Sequence, residues 1–280
     1  MVSMGALDAF SKAFSLVVEN KGVYLLILSA LLVVSVVQLI FPVNHPSSVA
    51  RTHVLGNVIF ENYGAVSEKD FINSLEISFT KLLVFVIVLS FVEYTAVKAY
   101  WLSVLGENYS PNSLFGEALP RIPGVVLVNL LAYLVSILLA IVPLGLILLG
   151  ALTMSPFILL LGVAMFFALI PVVLTYYSLV VPAYIETGNV GAAIEALGLT
   201  FRHLLSALGY GLLAVLFGFT LSLLMAPFVL PLSISGVNPL VIMLLEAPFK
   251  AFFVAFLWAG GTFLYLELRG FIRKGEELLY

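Results

Sequence analysis

The sequence predicts an all-α, polytopic membrane bundle of six transmembrane helices with three amphipathic interfacial helices. Two observations carry that expectation. No Asp, Glu, Lys, Arg or His occurs from Ile122 to Ile185, and none again from Leu204 to Leu245. A helix needs about 20 residues to cross the hydrocarbon core, so the first run holds two crossings and a turn. The second run holds one crossing, a turn and the start of another. Composition agrees: 62% of residues are apolar and 10% charged, against about 45–50% and about 25% in soluble domains.

Taken in order, the chain opens on a short amphipathic segment. Leu7, Phe10, Phe14 and Val17 fall on one helical face, and Asp8, Lys12, Ser15 and Glu19 on the other. Asp8, Lys12, Glu19 and Lys21 balance, and no small-x-small site follows the apolar run, so this is not the pattern of a cleaved signal. The first span is expected at 22–41. A loop at 42–80 follows, with Pro42 and Pro46, a β-branched stretch near 54–60, and Ser67 three residues before Asp70. That last pair resembles a capping box and predicts a helix running into the second span at 81–102, with Phe71, Leu75, Phe79 and Leu82 on one face.

A second amphipathic segment sets Leu114, Phe115, Ala118, Leu119 and Ile122 against Glu117 and Arg121. Spans at 123–149 and 156–182 follow, joined by an uncharged turn at 150–155. The third amphipathic segment opposes Ile194, Leu197, Phe201 and Leu204 to Glu195 and Arg202. It leads into a span at 204–230, a turn at 231–239, a short outer helix at 240–247 bent at Pro248, and a last span at 249–268. Each amphipathic segment is too short to cross and suits the membrane interface. Asp8–Lys12 and Glu117–Arg121 are spaced for favourable i,i+4 ion pairs.

Basic residues set the expected orientation. With the N-terminus inside, Lys12, Lys21, Lys98, Arg121, Arg202, Arg269, Arg273 and Lys274 are inner, whereas Arg51, Lys69, Lys81 and Lys250 are outer. Both termini are therefore expected in the cytoplasm, with the chain in the plasma membrane. Tyr94, Tyr100, Trp101, Tyr176, Tyr177, Tyr184 and Tyr265 are expected as an interfacial belt near the inner boundary.

Aligning Asp8-Ala9-Phe10, Glu117-Ala118-Leu119 and Glu195-Ala196-Leu197 divides the single integral membrane domain, 1–280, into three units. These are 1–105 (with the outer loop 42–80), 106–186 and 187–280, each an interfacial helix plus two spans. Ala99-Tyr100 and Ala183-Tyr184 recur after the second span of their units.

Around the third interfacial segment stand Pro182-Ala183, Glu186, Glu195-Ala196-Leu197, Thr200 and Leu204-Leu205, and the last span closes on Leu264-Tyr265-Leu266-Glu267-Leu268-Arg269. Over about 105–275 this resembles the six-span membrane-domain family named after the part attached to some glycerophosphodiester phosphodiesterases. That family also includes stand-alone archaeal and bacterial proteins of unknown function. The resemblance implies the membrane fold and no phosphodiesterase activity, which belongs to a separate barrel of about 250 residues. The family pattern usually ends Tyr-Tyr-Asp-Leu-Arg; here Leu266 and Glu267 replace part of it, and Gly270–Lys274 precede Gly275-Glu276.

Few residues are candidates for chemistry. Glu93 is the one acidic residue well inside a predicted span, where a carboxylate often marks a pathway or a paired site. Lys98 is a candidate partner, and Asn129 and Tyr133, one turn apart, are candidates to complete a polar pocket. Lys12, Arg121, Arg202 and His203 are candidate lipid-headgroup contacts. Glu246 and Lys250 are a candidate structural ion pair, with Lys250 snorkelling at the outer boundary. Ala247, Ala251, Ala255 and Ala259 form a small-residue seam for close helix packing. His45, His53 and Glu61 match no zinc spacing, so no metal is expected. Gly-x-Ser-x-Gly, His-Glu-x-x-His and Walker-type loops are absent, and no cofactor is expected. The absence of cysteine excludes disulfides and thiolate chemistry. A net charge of −3 without a basic stripe argues against a nucleic-acid partner.

The leading expectation is a non-catalytic scaffold or accessory subunit that binds membrane lipids, a membrane-protein partner or a second copy of itself. One alternative is a small-molecule or ion transporter or channel with a path past Glu93. Another is a lipid-headgroup enzyme with Glu93 as acid or base.

Overall fold

Two helices at the start of the chain, α1 (Met4–Glu19) and α2 (Lys21–Ile40), meet at a corner of 84°. Asn20 occupies the corner. Its Nδ2 donates to the Leu16 carbonyl at 2.8 Å, and its Oδ1 accepts from Ser103 Oγ at 2.9 Å and from the Tyr109 hydroxyl at 2.7 Å. One side chain thus ends α1 and fastens the corner to a distant stretch of chain.

The computed structural model describes residues 4–40, 51–55, 58–62 and 68–272. After α2 come two short antiparallel strands, β1 (Arg51–Leu55) and β2 (Val58–Asn62), paired from Arg51↔Asn62 to Leu55↔Val58. The remaining elements are α3 (Glu68–Val104), α4 (Pro111–Leu152), α5 (Pro156–Thr187), α6 (Ala192–Arg202), α7 (Leu204–Ile234) and α8 (Pro239–Leu268). Within α3, α4, α5, α7 and α8 lie stretches long and apolar enough to cross a bilayer, and the bent α1–α2 pair counts as a sixth. The protein is an all-α polytopic membrane bundle. Pro42, His45, Pro46, Ser67, Arg273, Lys274 and Gly275-Glu276 lie outside the described residues.

The helix contacts close into a ring with a threefold pattern. α3, α5 and α8, the second long helices of the three hairpins, touch one another at the centre. The first long helices fill the grooves between them: α2 between α3 and α8, α4 between α3 and α5, α7 between α5 and α8. The short helices follow the same rule, with α1 lying on α8 and α7, and α6 on α5 and α4. Phe115, near the start of α4, packs against Phe91 of α3 with ring centroids 5.6 Å apart.

Close approach rather than bulk makes this packing, as expected where lipid is as apolar as any core. Ala247, Ala251, Ala255 and Ala259 are all buried, at most 2% exposed. The last three join a cluster with Val23 and Ile27 of α2, Val92, Ala96 and Ala99 of α3, and Ala13 and Leu16 of α1. Gly261 of α8 lies so near α5 that an added Cβ would stand 2.4 Å from the Ser178 carbonyl oxygen. That carbonyl is the one Pro182 deprives of its intrahelical donor. Phe10 and Phe14 of α1 interlock with Phe217 of α7 and Phe252 and Phe256 of α8 at centroid distances of 4.5–6.2 Å.

Several sequence expectations need correction. The second amphipathic segment is no separate helix: α4 is continuous from Pro111, capped by Ser110 Oγ, which accepts from the Ser113 N–H at 3.2 Å. Asn20 and His203 break the chain before α2 and α7, whereas 114–122 contains only Pro120, which a long helix absorbs. Residues 240–247 are likewise part of α8, which runs through Pro248. On the first and third amphipathic segments the apolar face is divided: Phe10, Phe14 and Val17 pack into the bundle, whereas other large residues point outward. Leu7, Ile194, Phe201 and Leu204 are exposed, while Ala6, Ala9 and Ala13 of α1 and Ala192, Ala193 and Ala196 of α6 face the bundle. Large side chains suit lipid, and small ones suit the helix seam. The aromatic residues do not form an outward belt either: Tyr94, Tyr100, Trp101, Tyr176, Tyr184 and Tyr265 are buried in the protein.

Candidate functional site

The polar side chains gather at the end of the bundle that carries α1 and α6. Glu186, in the last turn of α5, accepts from Arg269 at the end of α8 through Nε to Oε2 and Nη2 to Oε1, both at 2.9 Å. Its Oε2 also accepts the Tyr265 hydroxyl. Arg269 Nη2 meets Glu195 Oε1, in the first turn of α6, at 2.6 Å. The guanidinium lies 5.8 Å from the Tyr265 ring, and Tyr265 packs on Trp101 at 6.0 Å. The hydrogen bond to Glu186 raises the Arg269 pKa further above its already high usual value. The cation sits at a helix C-terminus and Glu195 at an N-terminus, the signs that both helix dipoles favour. One arginine therefore fastens α8, α5 and α6 together.

A parallel arrangement joins α3 to α4. Glu117 Oε1 accepts the Tyr94 hydroxyl at 2.7 Å and lies 3.5 Å from Lys98 Nζ. Among the described residues neither Asp8–Lys12 nor Glu117–Arg121 forms an ion pair; Glu117 turns across to α3 instead. Arg121 reaches the end of α5: an added Cβ at Gly188 would be 3.4 Å from its Nη1. Gly188 adopts φ 65° there and closes α5 with its N–H on the Tyr184 carbonyl. The Tyr184 hydroxyl in turn presses on α4 at Gly124, where an added Cβ would stand only 1.9 Å from the oxygen.

The structure brings Glu93 and Asn129 together, with Asn129 Nδ2 donating to Glu93 Oε2 at 2.6 Å. Lys98 serves Glu117 rather than Glu93. Tyr133 does not join the pair and is 58% exposed on the outer face of α4. Lys12, Arg121, Arg202 and His203 are exposed. Glu246 and Lys250 form an ion pair toward the far end of α8. His53 and Glu61 fall on opposite strands, one position out of register, and among the described residues no three His, Cys, Asp or Glu gather as a metal site.

Among the described residues, clefts open between paired helices. One, of about 470 Å³, lies between α7 and α8; two of about 320 Å³ lie between α2 and α3 and between α4 and α5. Glu93 lines none of these three.

The sequence carries one signal for this ionic cluster. Tyr94–Lys98 and Tyr265–Arg269 share the spacing Tyr-x-x-x-basic at the same end of two central helices. Glu186, Glu195, Tyr265 and Arg269 also belong to the motifs on which the family resemblance rests. No protein-family model matches the chain, and neither a curated protein nor a solved structure matches it.

Proposed function

We propose that this integral membrane protein is a non-catalytic scaffold that holds membrane lipid or a membrane-protein partner at the end bearing α1 and α6. One observation carries the reading. The strong polar groups at that end serve one another, with Glu186, Glu195 and Arg269 tied together and Glu117 tied to Tyr94 and Lys98. The Arg269 cluster fixes the short helix α6 to the bundle, as a docking platform requires, while Lys12, Arg202 and His203 stay exposed on the rim of that end. In the plasma membrane, the excess of basic residues at this end makes it the cytoplasmic face. The convergence of Glu186, Glu195, Tyr265 and Arg269 also supports membership in the six-span membrane-domain family.

The transporter and enzyme readings have less support. Glu93 is bonded to an amide that is neither acid nor base, and it lines none of the three clefts. Native mass spectrometry of the full chain in several mild detergents tests the scaffold reading. Retained phospholipid or a partner subunit is expected, with less of it after Lys12→Ala and Arg202→Ala. A bare chain in every detergent overturns the reading.

A further inference from the structure

At the end that carries α1 and α6, each central helix brings a tyrosine together with a cation. On α3 these are Tyr94 and Lys98, and Glu117 serves both. On α8 they are Tyr265 and Arg269, with Glu186 and Glu195 as the acids. On α5 the residue four places after Tyr184 is Gly188, and the cation comes from α4 instead. Arg121 Nη1 lies 3.4 Å from where a Cβ on Gly188 would stand. Lys98 and Arg269 are both matched by carboxylates. Among the described residues, Arg121 is not.

Arg121 is also the last charged residue before the uncharged run from Ile122 to Ile185, so it stands at the edge of the hydrocarbon. It is exposed and within electrostatic reach of the Tyr94 hydroxyl, whose partner Glu117 also holds Lys98. Lys98 and Arg121 therefore have one carboxylate between them, and a positive charge is left over. A guanidinium presents a planar fork of donors that matches two phosphate oxygens at once. A phosphodiester with no cation of its own balances the charge. A phosphomonoester, with nearly two negative charges, would meet Glu117 as a like charge, and a choline headgroup would bring an ammonium toward Arg121. Large apolar side chains are exposed on α4 to either side of Arg121 in the chain, Phe115 and Leu119 before it and Leu127 and Leu130 after it. Lipid therefore reaches α4 at this level, and the phosphate it presents is a headgroup.

We propose that the junction of α3, α4 and α5 holds one monoanionic phospholipid, with the Arg121 guanidinium forked onto the headgroup phosphodiester and Lys98 as the second cation. The site belongs to the end of the bundle read above as lipid-binding; it rests on that reading and names the lipid class.

The test uses the full chain reconstituted in an equal mixture of dioleoyl phosphatidylglycerol and dioleoyl phosphatidylcholine, then native mass spectrometry. Wild-type protein is expected to retain phosphatidylglycerol in preference to phosphatidylcholine by about tenfold. Arg121→Gln, which breaks no protein ion pair, is expected to retain one phosphatidylglycerol fewer and to lose most of that preference. Arg121→Lys keeps the charge without the fork and should recover only part of it. An unchanged preference in either variant overturns the site. Excess inorganic phosphate is expected to leave the retained lipid in place, and displacement would make free phosphate the ligand and overturn the lipid assignment. Lipid lost only from Lys12→Ala and Arg202→Ala overturns the site while sparing the scaffold reading. Lipid lost only from the Arg121 variants upholds the site and counts against the exposed rim, whereas a wild-type chain retaining neither lipid nor partner overturns both.

Discussion

Arg269 grips Glu186 in a two-bond fork, Nε to Oε2 and Nη2 to Oε1, both at 2.9 Å. Lysine cannot reproduce that fork, because its ammonium is a point donor. Arg269→Lys is therefore expected to lower stability in detergent, by about 1–2 kcal/mol for the partly exposed cluster. Glu186→Gln should cost a similar amount, and the double variant less than the sum of the two. Strict additivity in chemical unfolding would show that the fork contributes nothing. The raised Arg269 pKa adds stability that is fully present below the ordinary arginine value and is lost only as pH rises through the raised one. No loss from this arginine is expected across the neutral range.

Gly124 gives an expectation whose sign is diagnostic. On helix propensity alone, Gly→Ala stabilises by about 1 kcal/mol. Here the new methyl would overlap the Tyr184 hydroxyl, so Gly124→Ala is expected to destabilise by about 1–3 kcal/mol. Adding Tyr184→Phe should restore part of the loss. Gly145, on the same helix with nothing within 4 Å of an added Cβ, is the control, and its alanine variant should be neutral or slightly stabilising. Thermal melts of the four proteins decide the matter.

Asn20 holds the 84° corner by accepting from Ser103 and Tyr109 and donating to Leu16. Asn20→Ala leaves two hydroxyls without this acceptor and should cost about 1–3 kcal/mol. The damage should be local, since α1 lies across α8 and α7 rather than within the central triad. Hydrogen exchange is expected to speed up in α1 and barely change in α5. A uniform increase over the whole bundle would contradict this assignment of the corner.

The long apolar helices were legible because the bilayer imposes length and apolarity on each span, whatever its neighbours. Facing was not legible for the short helices. Leu7, Phe10 and Phe14 share one predicted face, yet Leu7 is exposed while both phenylalanines pack into the bundle, because lipid accepts large apolar side chains as readily as the core does and only the closest helix seams select alanine. The alanine seam of α8 could be seen for the same reason: four-residue spacing of small side chains has one packing use. Polar pairing was legible only within a helix. Glu117 is spaced for Arg121, but its partners are Tyr94 and Lys98 on another helix. Likewise Glu186 and Arg269 are far apart in the chain and meet only when α5 and α8 pack.

Glu93 separates structural from transport use of the one carboxylate well inside a span. Its Oε2 accepts from Asn129 Nδ2 at 2.6 Å. Glutamine at 93 keeps an oxygen acceptor of the same reach and removes the charge that a membrane disfavours. Glu93→Gln is therefore expected to leave stability unchanged or raise it by about 1 kcal/mol, with the wild-type profile of retained lipids. Asn129→Leu should instead cost about 1–3 kcal/mol, because it leaves the carboxylate without its amide donor. If Glu93 carried a cation or proton, Glu93→Gln would change ion flux across proteoliposomes. A flux in the wild type that disappears in this variant would sink the structural assignment, and equal, background-level flux from both is the expected result.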